Sequence, residues 1–289
     1  MAESATRPFY KQAWFVQAVR WGGYAALGVA LVYLGVAIAR LDLSGVIERL
    51  SIAAWLVSAL SAVAYGALLV LLARAWAGCA SGTTDLPWST VLETYGPGVL
   101  AKYIPGSVFQ YASRQVLGAQ LGWGHGGMAR ASLAEAAIHI PAALGVAAML
   151  VLSGGLAGVA LFVLAGALLA RQAKTVFLQA IGWQIMFFGG FGTIAYVLAA
   201  HAIGLEQPAA IAAMFMLAWI AGFLVPVAPG GIGIRESVLL VLCAPYEQAG
   251  VIALFAILTR LVTTAGDAIC GLAAYGYSLR TRSNRQASV

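Results

Sequence analysis

The feature that most constrains this chain is where its charges are missing. No Asp, Glu, Lys or Arg occurs in residues 21–39, 50–73, 136–170, 175–205 or 207–234. A helix that crosses a bilayer needs about 20 mainly apolar residues, and each of these runs can supply that or nearly so. The longest one is divided by Ser153-Gly154-Gly155, a turn signal. Across all 289 residues 62% are hydrophobic and 9% are charged, against about 25% charged in a soluble domain. The fold class expected is an all-α polytopic membrane protein. The first apolar run follows a basic segment and ends near Ala37-Ile38-Ala39, as a signal peptide would. It is longer than the about 7–15 residues of a signal core, so it reads as a retained span.

About six full transmembrane helices are expected: 21–39, 52–73, 131–152, 156–170, 178–200 and 249–277. They divide the chain into an interfacial segment (1–20), one transmembrane domain (21–278) and a basic tail (279–289). Lys and Arg favour the cytoplasmic side. Arg7, Lys11 and Arg20 at one end and Arg280, Arg282 and Arg285 at the other place both termini there. Arg74, Arg171 and Lys174 fit inside, while 153–155, 201–207 and 245–248 carry no Lys or Arg and fit outside. Arg40 and Arg49 run against the rule.

Two stretches interrupt this pattern. Val225-Pro226-Val227-Ala228-Pro229-Gly230-Gly231-Ile232-Gly233-Ile234-Arg235-Glu236 combines helix breakers with an adjacent pair of opposite charges. Gly96-Pro97-Gly98 and Lys102-Tyr103-Ile104-Pro105-Gly106 lead towards Arg114 in a second broken segment. Irregular backbone at membrane depth is tolerated only where protein buries it or water reaches it. Parity of the crossings makes 209–244 a re-entrant helical hairpin from outside and 87–118 one from the cytoplasm. Glu135 lies 30 residues after Pro105, and Arg260 lies 31 after Pro229. Broken segments at corresponding places in two halves mark transporter sites, so the spacing suggests an inverted repeat. Ordinary glycine packing between spans explains the same pattern, and both readings stand at this level.

Charged residues inside the apolar region are the candidate site. Arg235 and Glu236 point about 100° apart on a helix and each needs another partner. Arg260 is a natural partner for Glu236, and a phosphate for Arg235. Gly230, Gly231 and Gly233 at the start of a short helix would leave N–H groups free to hold an anion. The competing reading is a structural ion pair that locks the hairpin. Arg260 and Asp267 lie two turns apart, about 10.5 Å along the axis, so each should meet another helix. Glu135 and His139 share a face at i, i+4, as a headgroup or proton-linked pair or as a plain hydrogen-bonded one. Lys102 and Arg114 would meet phosphate or an anionic lipid surface. His125 and His201 fall in expected loops, His125 within a flexible connector at 118–127. Cys79, Cys243 and Cys270 have neither metal-ligand nor disulfide spacing and read as small apolar packers. No residue is singled out as catalytic, and no cofactor or metal is expected. A basic face with stacking aromatics on a soluble module, as nucleic-acid binding requires, is missing from the sequence.

Ala101-Lys102-Tyr103-Ile104-Pro105-Gly106 and Pro229-Gly230-Gly231-Ile232-Gly233-Ile234-Arg235-Glu236 resemble the two signature regions of the lysylphosphatidylglycerol synthase transmembrane family. The likeness extends over roughly residues 15–278, and Glu135 and Arg260 resemble charged positions of that family. It implies a multi-pass protein of the bacterial inner membrane that moves or holds a lipid with a polar headgroup. Full-length synthases continue into a soluble aminoacyl-transferase domain that has no counterpart in this sequence, so lipid aminoacylation is not implied. The leading expectation is a flippase-like lipid translocase, not an enzyme, for a phosphate-bearing or polyprenyl-linked lipid. Its substrate-binding residues would be Arg235, Glu236, Arg260, Glu135, Lys102, Arg114, Gly230 and Gly231. The alternatives are a membrane-embedded transferase acting on a lipid-linked sugar, with Glu236 or Asp267 as acid or base, and a non-catalytic membrane partner of a glycosyltransferase. Membrane lipids, and a lipid-modifying enzyme or glycosyltransferase, are the expected partners.

Overall fold

The computed structural model describes residues 50–83, 85–102, 109–225 and 229–287. The expected interfacial segment, the first span and the Arg40–Arg49 loop lie outside the described residues. Helices form where the apolar runs predict them, and the described residues contain no strand. They are α1 (Ile52–Ser81), α2 (Trp88–Ala101), α3 (Phe109–Gln120), α4 (His125–Ser153), α5 (Leu156–Gln172), α6 (Val176–Val197), α7 (Pro208–Leu224), α8 (Ile234–Cys243) and α9 (Ala249–Ala287). A π-helical turn, Leu198–Ile203, prolongs α6.

Local chemistry sets the ends. The Ser51 hydroxyl accepts the Ala54 N–H at 3.1 Å and caps α1, and Thr175 does the same for α6 through Leu178. Such side chains satisfy donors that a helix start leaves orphaned. Pro208 begins α7, where its missing N–H costs nothing.

Four helices are long and apolar enough to cross a membrane: Ile52–Ser81, His125–Ser153, Val176–Ile203 and Ala249–Tyr277. They coincide with four of the expected spans. A fifth expected span appears as α5, which has 17 residues. Both broken stretches fold as two short helices joined by a break, α2 with α3 and α7 with α8, and within each pair the helices pack together.

Two expected loops are largely helical, and α1 and α9 run on to Ser81 and Ala287, past the expected span ends at 73 and 277. The connector predicted at 118–127 is mostly helix: α3 runs through Gly118 and α4 starts at His125. A Cβ on Gly118 would lie 2.3 Å from the Met128 sulfur, so this glycine permits close packing instead of flexibility. The Trp123 N–H closes the turn on the Gly118 carbonyl at 3.0 Å. His201, expected in a loop, lies in the π-helical turn.

The core is aromatic and small-residue in character. Trp76, Phe187, Phe188, Phe191, Phe215 and Phe255 are its largest fully buried side chains. Helices α1 and α9 cross in backbone contact, since a Cβ on Gly66 would come within 2.8 Å of the Gly266 carbonyl oxygen. Small residues at such crossings let apolar helices gain dispersion contact without a hydrophobic driving force.

The packing has a regularity that positions the site. Helix α1, the pair α2/α3 and α4 succeed one another as α6, the pair α7/α8 and α9 do. Helix α2 packs against α9, while α7 packs against α4, so each pair leans on the long helix that follows the other. The second helix of each pair touches the long helix that follows its own. Helices α1 and α6 pack on each other between them.

Candidate functional site

Both broken pairs line a cavity of about 240 Å3, to which α1, α4, α6 and α9 also contribute. Its wall contains Lys102, Arg114, Glu135, Gly230, Gly231, Arg235 and Arg260. Glu236 stands directly behind Arg260. The residues singled out on sequence grounds therefore converge on one place, although they run from the end of α2 to α9 in the chain.

The charges are organised in three pairs. Arg114 Nη1 donates to Glu135 Oε2 at 2.6 Å, and the Tyr95 hydroxyl donates to Glu135 Oε1 at 2.7 Å. The Arg114 guanidinium lies 3.7 Å from the centre of the Tyr95 ring, with Trp76 and Tyr111 further out. A buried ion pair persists only when such extra bonds and contacts offset the loss of water. Lys102 Nζ meets Asp267 Oδ2 at 2.6 Å and so joins the end of α2 to α9. Arg260 donates through Nε and Nη2 to Glu236 Oε1 at 3.2 and 2.8 Å, and through Nη1 to the Gly230 carbonyl at 2.7 Å.

The first turn of α8 departs from the expected anion site. The Gly233 N–H donates to Glu236 Oε2 at 2.7 Å. The anion at this helix start is thus the chain's own carboxylate, which suits the positive end of the helix. Gly230, Gly231 and Gly233 have φ of 57°, 71° and 84°, a region that glycine alone enters without strain. Their freedom shapes the turn that brings Glu236 back over its own helix start. The Arg235 side chain is buried, with its guanidinium 5.4 Å from the centre of the Phe215 ring.

Glu135 and His139 do share a face of α4, but their side chains take different partners. His139 Nδ1 is 2.7 Å from Gln184 Oε1 on α6, whereas Glu135 turns to Tyr95 and Arg114. The His139 ring lies tilted against Phe223, and Trp219 and Phe223 lie parallel, 5.3 Å apart with 7° between their planes. These three residues form an apolar wall of the same cavity. Sequence reasoning missed this wall, along with Tyr95 and Gln184, because aromatic residues in an apolar helix carry no distinguishing pattern. Asp267 was placed on the right helix, but its partner Lys102 was not foreseen.

No family model, curated protein or solved structure matches this chain.

Proposed function

We propose that this chain is a lipid translocase of the bacterial inner membrane that passes a phosphate-bearing headgroup through the central cavity while the acyl or prenyl tails stay in the bilayer. The observation that carries the reading is the cavity itself, a charged chamber among apolar helices that is lined by both broken helical pairs. Ionisable groups at membrane depth are costly, and they mark substrate pathways by default. The resemblance of its two signature stretches to the lysylphosphatidylglycerol synthase transmembrane family points the same way.

In this reading, residues 21–39 and α5 complete six crossings and both termini lie in the cytoplasm. The α2/α3 and α7/α8 pairs enter from opposite faces without crossing, as halves of an inverted repeat. Their lengths support this. At about 1.5 Å per residue, the 10 residues of α8 and the 12 of α3 fall well short of a hydrocarbon core of about 30 Å. The exchange of partners, α2 on α9 and α7 on α4, is what a two-fold relation between the halves would produce. Glu236 and Asp267, the carboxylates that a transferase would need as acid or base, are both held by cations within 2.8 Å. That favours a transport role over acid–base chemistry.

The test is purified protein in liposomes, assayed for movement of labelled phospholipids and of short polyprenyl-phosphate lipids between leaflets. The expected result is movement of at least one class at a rate above that of empty liposomes. Folded protein that moves none of them overturns the proposal.

A further inference from the structure

We infer that Arg260 receives the phosphate ester of the lipid, through one N–H on each of its two terminal nitrogens. The inference deepens the lipid-handling reading of the cavity and rests on it. Among the charged residues of the wall it assigns the group that is recognised and the residue that recognises it.

The donors of Arg260 are the first argument. A guanidinium has five N–H groups in one plane. Nε and Nη2 each give one to Glu236 Oε1, and Nη1 gives one to the Gly230 carbonyl. These three bonds fix the plane, and one N–H on Nη1 and one on Nη2 remain without a partner among the described residues. Arg260 and Gly230 both line the cavity, and the bond between them is exposed, so Nη1 lies at the cavity surface. The other oxygen of Glu236, Oε2, accepts the Gly233 N–H at 2.7 Å. The carboxylate behind Arg260 thus shares its charge with the positive end of α8.

Comparison with the other cations of the wall is the second argument. The Arg260 side chain is 22% exposed, against 5% for Arg114. Arg114 is enclosed by Glu135 and the Tyr95 ring, and Arg235 is buried with its guanidinium beside Phe215. Lys102 is as open as Arg260, at 25%, but an ammonium is a point charge that attracts an anion without orienting it. Two parallel N–H bonds from a guanidinium match two oxygens of a phosphate, and a phosphodiester has two that are not esterified. Because the plane of Arg260 is already fixed, binding there orders no further side chain, which removes part of the usual cost of association.

The experiment measures binding of short-chain lipids to the purified protein by thermophoresis. The probes are dioctanoyl phosphatidylglycerol, the methyl triester of the same lipid, which keeps one unesterified oxygen, and a dioctanoyl glucosylglycerol without phosphate. The diester should bind roughly tenfold or more tightly than the other two, a difference of about 1.4 kcal/mol. Arg260→Lys keeps the charge and loses the fork, and it should remove most of that preference. In the wild-type protein phenylglyoxal should modify Arg260, as mapped by mass spectrometry, and the diester should protect it where the triester does not. Equal binding of the three lipids, a preference retained in full by a folded Arg260→Lys protein, an Arg260 that phenylglyoxal does not reach, or one that the diester leaves unprotected each overturn the inference. If the variant does not fold, the labelling decides alone. Liposome transport separates the two readings. Binding and protection as expected, without transport of any phospholipid, remove the translocase reading and leave this one. Phospholipid transport at the wild-type rate by a folded Arg260→Gln protein does the reverse.

Discussion

Arg260 grips Glu236 with two of its nitrogens and the Gly230 carbonyl with a third. The long helix α9 is thereby fastened to the turn that joins α7 to α8. In the other half Arg114 of α3 bonds Glu135 of α4 at 2.6 Å. The two ion pairs occupy equivalent places, each between the second helix of a broken pair and the long helix that follows. Their signs are reversed: the cation lies on α3 in one half and on α9 in the other.

Removing one partner of the α8–α9 clasp should be costly. Arg260→Ala leaves Glu236 with a buried charge and frees the Gly230 carbonyl, so a loss of about 3–5 kcal/mol is expected. Arg260→Lys keeps the charge but not the planar fork and should lie between wild type and Arg260→Ala. The exchange of Glu236→Arg with Arg260→Glu should not restore stability, because arginine cannot accept the Gly233 N–H. Thermal unfolding in detergent reads all three, and full recovery by the exchange would show that the Gly233 bond is unimportant.

Tyr95 tests the other pair. Tyr95→Phe keeps the ring under the Arg114 guanidinium and deletes only the hydroxyl that bonds Glu135. A hydrogen bond to a charged group contributes about 1.5–3 kcal/mol, and a loss in that range is expected. Tyr95→Leu loses the ring as well and should cost more. If Tyr95→Phe melts like wild type, Arg114 alone satisfies Glu135.

Much of this was legible in the residues. Charge-free runs located α1, α6 and most of α4, because a helix in lipid needs apolar side chains on every side, and α9 was placed by its apolar composition although it carries Arg260 and Asp267. The Pro and Gly clusters located both breaks, and intramembrane charges such as Glu135, Arg235 and Arg260 named the charged part of the cavity wall. Pairing was less legible. Lys102 and Asp267 meet although more than half the length of the chain separates them in sequence, and no local spacing encodes that contact. Gly118 was misread for a related reason. A glycine that gives flexibility and one that admits Met128 look alike until the neighbour is known. The aromatic wall of Trp219 and Phe223 was hidden because the face of an apolar helix that meets a cavity has the same composition as the face that meets lipid.

Gly231 should tolerate nothing larger. Its φ is 71°, and a Cβ there would lie 3.0 Å from the Gly222 Cα. Gly231→Ala combines left-handed strain of about 1–2 kcal/mol with a push on backbone that has little freedom to give. Gly126 in the first turn of α4 has nothing within 4 Å of an added Cβ, so Gly126→Ala should be neutral or stabilising by up to about 1 kcal/mol. Melting temperatures of the two variants in one detergent should fall on opposite sides of, or either below and level with, wild type. A harmless Gly231→Ala would mean that the turn can rearrange.

Topology provides the sharpest check on the proposed architecture. With Cys79, Cys243 and Cys270 replaced by alanine, single cysteines at Gly154 and Glu247 should react with an impermeant maleimide added outside. One at Ala173, between α5 and α6, should react only from the cytoplasmic side. The broken pairs make the stronger prediction. Short helices that cannot span the bilayer must return to the face they came from, and parity gives the two pairs opposite faces. Ile232→Cys, beside the α7/α8 break, should be reached from outside, and Ser107→Cys, between α2 and α3, from the cytoplasm. Labelling of both from one side, with Gly154 and Ala173 behaving as expected, would end the inverted-repeat reading. It would also remove the physical basis for a headgroup path that each half opens from its own face.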